Sequence, residues 1–291
     1  MNKFNDNLNE YPLNEDILND DFIMSPKIDF VFKLIFGDEK NKKVLGAFLS
    51  AVLKMSEEEF LDIELLNTEL LKEFKEDKKG ILDVRVKTRK EEHIDIEIQI
   101  LPTKFMPERT LFYWSKMYNS QVAPGNTYDK LKKCITINIV DFKCVPIRKI
   151  HTKYHITEDE TNYKLTDILE IHFLELPKLE ELKNIEDKND PILEWLEFIN
   201  AKSKEAMEML AEKNENIKTA YEILEKASKS KNARIAYEAR QAEIMDQLTR
   251  EKVAREEEKI KIAKNLLGLL EDEVIAEKTG LSIDVIRELK K

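Results

Sequence analysis

The sequence predicts an α/β domain, a sheet flanked by helices, followed by a long helical C-terminal region. Three observations carry this. Ile81 to Lys87 and His93 to Ile100 alternate apolar and polar residues with period two, as strands buried on one face do. Glu108 to Val122 carries apolar and aromatic residues at helical spacing and separates those strands from a third, Cys134 to Val140. That strand, helix, strand order needs a crossover that packs the helix onto the sheet. From Ile192 to Leu270 there is no proline, and Glu, Lys, Ala, Leu and Ile dominate, a composition that favours helix.

The remaining elements follow in order. Residues 1–23 are polar, acidic and aperiodic and read as a flexible arm. Asp29 to Phe36 is a short helix stopped by Gly37, and Val44 to Leu53 is a second helix with an apolar face. Thr88 to Glu92 has the length of a hairpin loop. Pro124-Gly125-Asn126 stops the helix that begins at Glu108, and Ile168 to Leu176 is one more short strand. Lys261 to Leu270, Glu271 to Lys278 and Ile283 to Leu289 form three terminal helices, with Ser282 as the cap of the last. The expected domains are the arm 1–23, an α/β domain 24–180, a helical region 190–262 and a tail 263–291.

Composition narrows the function. With 42% hydrophobic and 36% charged residues, six glycines and eight prolines, the chain is globular, charge-rich and inclined to helix. No apolar run approaches the roughly 18 residues that cross a bilayer. The N-terminus lacks the apolar core of a signal sequence, so no membrane partner is expected and the cytoplasm is the expected compartment. Cys134 and Cys144, the only cysteines, supply neither a disulfide framework nor zinc spacing. A net charge of −10 argues against gripping nucleic acid with the whole surface. Locally, Lys104, Arg109, Lys116, Lys130, Lys132 and Lys133 are opposed only by Glu108 and Asp129, which suits either a phosphate backbone or a solvated face.

The chemistry sits in the hairpin. If Lys87 and His93 close the loop, Arg85 faces Asp95 and Asp83 faces Glu97. Directly opposed side chains have Cβ atoms roughly 4.5–5.5 Å apart. Alternation then puts Asp83, Asp95, Glu97 and Gln99 on one face, where the carboxylates repel unless something neutralises them. A divalent cation such as Mg²⁺ does so with hard oxygen ligands and water. Gln99 is placed to orient an attacking water. The competing reading is a solvated face on which Arg85 and Lys87 pair with Asp95 and Glu97. His93, His151, His155 and His172 have no partner at metal-ligand spacing and are expected on the surface or in packing.

The segments Asp83-Val84 and Glu97-Ile98-Gln99, preceded by Lys27-Ile28-Asp29-Phe30-Val31-Phe32-Lys33 and followed by Arg109-Thr110-Leu111-Phe112-Tyr113-Trp114, decide between the two. Together they resemble the Rpn-type recombination-promoting nucleases, the PD-(D/E)XK nuclease family transposases. The resemblance runs from about residue 24 to 178, through Phe173-Leu174-Glu175-Leu176-Pro177-Lys178, and returns in the last 30 residues.

It implies a restriction-endonuclease-like PD-(D/E)XK core, a mixed sheet flanked by helices. It also implies a metal-dependent DNA endonuclease of recombination or mobile-element activity, using Mg²⁺ or Mn²⁺. Asp83 and Glu97 take the two acid positions, and the Ile98 carbonyl becomes a further metal ligand. Gln99 stands where the wider superfamily has lysine, which puts rate in doubt more than metal binding. Asp29 matches an acid on the first core helix and either reaches the metal through water or serves the helix dipole. Lys33, Arg109 and Tyr113 are assigned to DNA contact or support, the last two sharing a helical face four residues apart.

Two alternatives stay open: a catalytically inactive nuclease-fold module that binds DNA or protein, and a transcription regulator built on the tail. Val274 to Ser282 resembles the turn of a helix-turn-helix unit, but the last helix offers only Arg287, Lys290 and Lys291 as cations, which suits docking or weak DNA contact. A homodimer through the C-terminal helices is compatible with the sequence, without a pattern that specifies it.

Overall fold

The computed structural model describes residues 21–68, 83–123, 125–181 and 190–290. Residues 1–20 of the expected arm, Ile81 and Leu82 of the first expected strand, and Pro124 of the expected helix stop lie outside these. Two helices, α1 (Asp29–Phe36) and α2 (Lys42–Leu53), precede the sheet. Its strands are β1 (Glu64–Leu65), β2 (Val84–Lys87), β3 (His93–Gln99), β4 (Cys134–Val140), β5 (His151–Tyr154) and β6 (Leu169–Glu175). They lie in the order β1-β2-β3-β4-β6-β5. Helix α3 (Met106–Asn119) crosses from β3 to β4, which are parallel, as are β4 and β6. The outer strands pair antiparallel, so the sheet is mixed.

The hairpin has the expected register: Val84 faces Ile96, Arg85 faces Asp95 and Lys87 faces His93. Thr88 closes the loop by donating its amide to the Glu92 carbonyl at 2.9 Å, and Glu91 turns the chain at φ 62. The expectation that both hairpin strands bury one face holds in β2, where Val84 and Val86 are buried and Arg85 and Lys87 partly exposed. It needs correction in β3, where all but the ends are buried, as is every residue of β4 and β6. Parallel strands in mid-sheet are covered on both sides, so alternation here sorts two kinds of interior rather than inside from outside.

One side of the sheet, where α3 packs, carries Val140, Ile171 and Phe173 against Met106 and Trp114. On the other side, the buried Ile94, Ile96, Ile135 and Ile137 lie under a helical layer in which α1 touches β3. Phe32, Phe36, Phe48 and Trp195 form its aromatic centre, with neighbouring centroids such as Phe36 and Phe48 5.2 Å apart. Burying such rings is worth roughly 1.5–3 kcal/mol each.

Strand β5 has no counterpart among the strands expected from the sequence. It is four residues long, and its sequence, His-Thr-Lys-Tyr, has no apolar run to announce it. Its pairing comes from the antiparallel partner β6.

Four further helices are α4 (Pro191–Asn200), α5 (Lys204–Ala211), α6 (Glu215–Ser228) and α7 (Lys231–Leu266). Asp190 caps α4 by accepting from the Ile192 amide, and Asn214 caps α6 through the amides of Asn216 and Ile217. The separate helix expected from Lys261 is instead the end of α7. Nothing from Lys231 to Leu266 is glycine or proline, and the stop comes at Gly268, φ 78.

The chain divides into two compact units, one through Tyr237 and one from Glu238. In the second, α8 (Asp272–Thr279) ends on Gly280 at φ 68, and Ser282 caps α9 (Ile283–Glu288) by accepting from the Val285 amide at 3.4 Å. Ala263, Ile275 and Ile286 form its small core. No helix among the described residues is long and apolar enough to cross a membrane.

Candidate active site

The hairpin register carries Asp83, the residue just before β2, to a place beside Glu97 in β3. The Asp83 amide donates to Glu97 Oε1 at 3.1 Å, and the Ile98 amide donates to Asp83 Oδ2 at 2.9 Å. Two cations arrive from the helices. Lys33 of α1 places Nζ 3.0 Å from Asp83 Oδ1, and Arg109 of α3 places a guanidinium nitrogen 3.5 Å from Glu97 Oε2. The other arm of Arg109 donates to Gln99 Oε1 at 2.9 Å, and its guanidinium lies over the Tyr113 ring, 5.4 Å from the centroid. Both acids are nearly enclosed, whereas Lys33 and Arg109 keep about a third of their side chains exposed, at 38% and 35%. The cations therefore stand at the mouth of the site and the acids at its floor.

Enclosure without full neutralisation raises the proton affinity of the acids. Burial pushes the Glu97 carboxyl up to about 8, reinforced by the charge of Asp83 and only partly offset by Arg109. Burial raises Asp83 as well, against the Ile98 hydrogen bond and the Lys33 charge, with Asp29 near enough to add to the rise. Asp95, two residues before Glu97, is raised well above the carboxylate range by complete burial and then by Glu97 and Asp83. Neither Asp95 oxygen has a hydrogen-bond partner among the described residues.

A divalent cation suits this donor set, because two hard carboxylates sit close, desolvated and short of positive charge. Among the described residues no three His, Cys, Asp or Glu side chains converge as a complete cage. An ion here would be held by Asp83 and Glu97, with water and phosphate oxygens completing its shell, the arrangement Mg²⁺ favours.

The competing pairings are not those that form. Lys87 bonds Glu64 at 3.2 Å instead of Glu97. Arg85 turns from Asp95 toward His93 Nδ1 at 3.4 Å and Ser120 at 3.5 Å. Asp29 accepts from the neighbouring Phe30 amide at 2.9 Å, as a first-turn acid does. Gln99 is engaged at both ends of its amide, by Arg109 and by donation to the Leu101 carbonyl at 2.9 Å. In the basic stretch, Lys104 and Lys130 are exposed, whereas Lys116, Lys132 and Lys133 are half-buried and Lys133 bonds Glu170 at 2.6 Å.

Among the histidines, His172 is buried and bonds both Glu170 and His151, so two of the four meet although no sequence spacing pairs them. The alternation of Glu170-Ile171-His172 within an apolar strand was the available signal, since it puts acid and imidazole on one face.

A mixed sheet whose first hairpin brings two carboxylates to one enclosed patch, with cations at its mouth, is of the nuclease type. The model of the family described as PD-(D/E)XK nuclease family transposase matches residues 26–254, and the chain belongs to that family. The match covers the sheet and continues through α4, α5 and α6 into α7. No curated protein and no solved structure matches the chain.

Proposed function

We propose that the protein is a metal-dependent DNA endonuclease that hydrolyses phosphodiester bonds, using Mg²⁺ or Mn²⁺ held by Asp83 and Glu97. The supporting observation is the pair itself: two acids cross-bonded through their strands, buried, and carrying raised proton affinity that a doubly charged ion relieves. When bound, such an ion polarises a phosphoryl oxygen and lowers the pKa of its water.

The chain's own residues do the rest. The Ile98 amide holds the Asp83 carboxylate in place, and the Ile98 carbonyl is the further ligand that the family resemblance implies. Arg109 sets the positions of Glu97 and Gln99 together, braced on Tyr113, and its exposed edge is available to a phosphate oxygen. Lys33 opposes the charge of Asp83 until substrate arrives, then serves the DNA backbone. Gln99 orients water only if it exchanges one of its two amide bonds, a cost that fits a slow enzyme. Asp29 acts from one step back, through the field it adds at Asp83. The family description supports a role in recombination or mobile-element activity, acting on DNA, and a cytoplasmic location is part of the same proposal.

The test is nicking of supercoiled plasmid by the purified chain with Mg²⁺, with Mn²⁺ and with EDTA. Cleavage with either metal and none in EDTA is the expected pattern. Equal cleavage in EDTA, or none under any condition, would overturn the proposal.

A further inference from the structure

On the side of the sheet away from Glu97, at the β5–β6 edge, lies a second polar cluster that the nuclease reading does not use. Glu170 and His172 project together from β6, and His151 projects from β5 beside them. Lys133 Nζ is 2.6 Å from Glu170 Oε2, His172 Nε2 is 2.8 Å from Glu170 Oε1, and His151 Nε2 is 2.7 Å from His172 Nδ1. His155 completes the surround, with Nε2 3.9 Å from Glu170 Oε2 and Nδ1 3.0 Å from the Leu169 carbonyl.

The chain of bonds decides where the protons sit. Burial opposes ionisation of Glu170, but the hydrogen bonds from His172 and Lys133 outweigh it and hold the carboxyl well below its usual range. An ionised carboxylate only accepts, so His172 Nε2 carries a hydrogen. Burial lowers the proton affinity of His172 against the pull of Glu170 and so favours the neutral ring, whose Nδ1 then accepts from His151 Nε2. Burial and the neighbouring His172 depress His151 to about 4, so it too is neutral near pH 7. His151 Nδ1 is thus an unprotonated lone pair, and it has no hydrogen-bond partner among the described residues.

His151 lines a cavity of about 410 Å³ together with Lys54, Lys149 and Lys153. Lys54 is held by Asp190 at 2.8 Å, but Lys149 and Lys153 form no ion pair among the described residues. The cavity is therefore lined by two lysines that form no ion pair among the described residues and by a histidine with one open ring nitrogen. A ligand matching it carries negative oxygens and one hydroxyl.

We infer that this cavity binds a phosphate group that retains a P–OH, as inorganic phosphate and phosphate monoesters do: the hydroxyl donates to His151 Nδ1, and the ionised oxygens meet Lys149 and Lys153. A phosphodiester, the linkage inside a nucleic-acid strand, has no hydroxyl to donate and is discriminated against. The Glu170–His172 chain fixes the tautomer that makes this distinction and acts as a positioning device.

The experiment uses the full chain at about pH 6, where a good share of monoester phosphate is singly protonated. Calorimetry would measure binding of inorganic phosphate, thymidine 5′-monophosphate and dimethyl phosphate, and long-range ¹⁵N NMR would report the imidazole tautomers. We expect saturable binding of the first two, at least tenfold weaker binding of dimethyl phosphate, and a ¹⁵N shift at His151 Nδ1 on binding. Lys149→Ala/Lys153→Ala, both at exposed positions, should weaken phosphate binding at least tenfold while leaving the tautomer pattern intact. Tighter binding of the nucleotide than of inorganic phosphate makes the ligand a phosphorylated end; no gain from the nucleoside makes it the free ion. The inference fails if dimethyl phosphate binds as well as the monoesters, if the double lysine variant binds like the parent, or if Nδ1 carries the proton in the free protein. Since Asp83 and Glu97 take no part, none of these results depends on nuclease activity.

Discussion

Asp83 and Glu97 are each aligned by the strand of the other: the Asp83 amide donates to Glu97 Oε1 at 3.1 Å, while the amide after Glu97, that of Ile98, donates to Asp83 Oδ2 at 2.9 Å. Two enclosed carboxyl groups are thereby kept adjacent by backbone rather than by flexible side chains, the kind of preorganisation that charge-stabilising catalysis requires.

Replacing either acid tests the pair directly. Asp83→Ala and Glu97→Ala should each lower Mg²⁺-dependent plasmid nicking by at least about 10²-fold, a loss typical of removing one charge-stabilising group. Circular dichroism should stay unchanged, because each substitution removes a carboxylate that burial already disfavours. A variant that nicks at the parental rate would eliminate that residue from the site.

Stability should fall with rising pH in the absence of metal. Glu97 titrates near 8 in the folded chain against an ordinary 4.5, so across that interval the folded state holds a proton that the unfolded state has released. Stability fully present below about 4.5 is therefore lost progressively up to about 8. Asp83 and Asp95 shift the same way and deepen the slope. A divalent cation binds the ionised acids, so its stabilising effect should grow over the same interval. Melting temperatures in EDTA and in Mg²⁺ at several pH values check this, and a metal effect as large at pH 5 as at pH 8 would contradict it.

Arg109→Lys separates charge from geometry. Lysine keeps the cation but lacks the planar fork whose two separate nitrogens reach Gln99 and Glu97. Losing one charged hydrogen bond of about 1.5 kcal/mol corresponds to about tenfold in rate. Single-turnover cleavage should show that loss for Arg109→Lys and a larger one for Arg109→Ala. Equal rates in all three proteins would leave Arg109 without a role.

Away from the site, Glu175 and Lys178 form a buried ion pair in which Glu175 also accepts the amides of Cys144 and Val145, and Lys178 donates to the carbonyls of Val145 and Ile147. Glu175→Ala strands a buried ammonium and should cost about 3–5 kcal/mol. Glu175→Ala/Lys178→Met removes both charges and should cost less than the single change. Urea unfolding of the two variants decides it.

Several features of this protein were readable from residue order alone. Period-two alternation and a five-residue loop place Arg85 opposite Asp95, and that register extends to Asp83 and Glu97, because a short hairpin leaves few ways to pair. Helix α1 and its stop at Gly37, strand β4, and the Ser282 cap are equally readable. The helix, its stop and the cap depend on contacts a few residues apart, the range over which pattern and propensity act, while β4 shows in its apolar run although its partners β3 and β6 lie far away in the chain.

Tertiary structure alone decided how the acids are charged and what surrounds them. Lys33 reaches Asp83 and Arg109 reaches Glu97 because α1 and α3 pack at the hairpin, and sequence spacing carries no distance between them. Glu97 and Asp95 became buried because β4 and β6 extend the sheet past β3 and helices close over it. Alternation records which side of a strand a residue takes; what covers that side, and hence its dielectric and its proton affinity, is set by elements far away in the chain. The meeting of His151 with His172 and Glu170 has the same cause, since β5 gains its place only by pairing with β6.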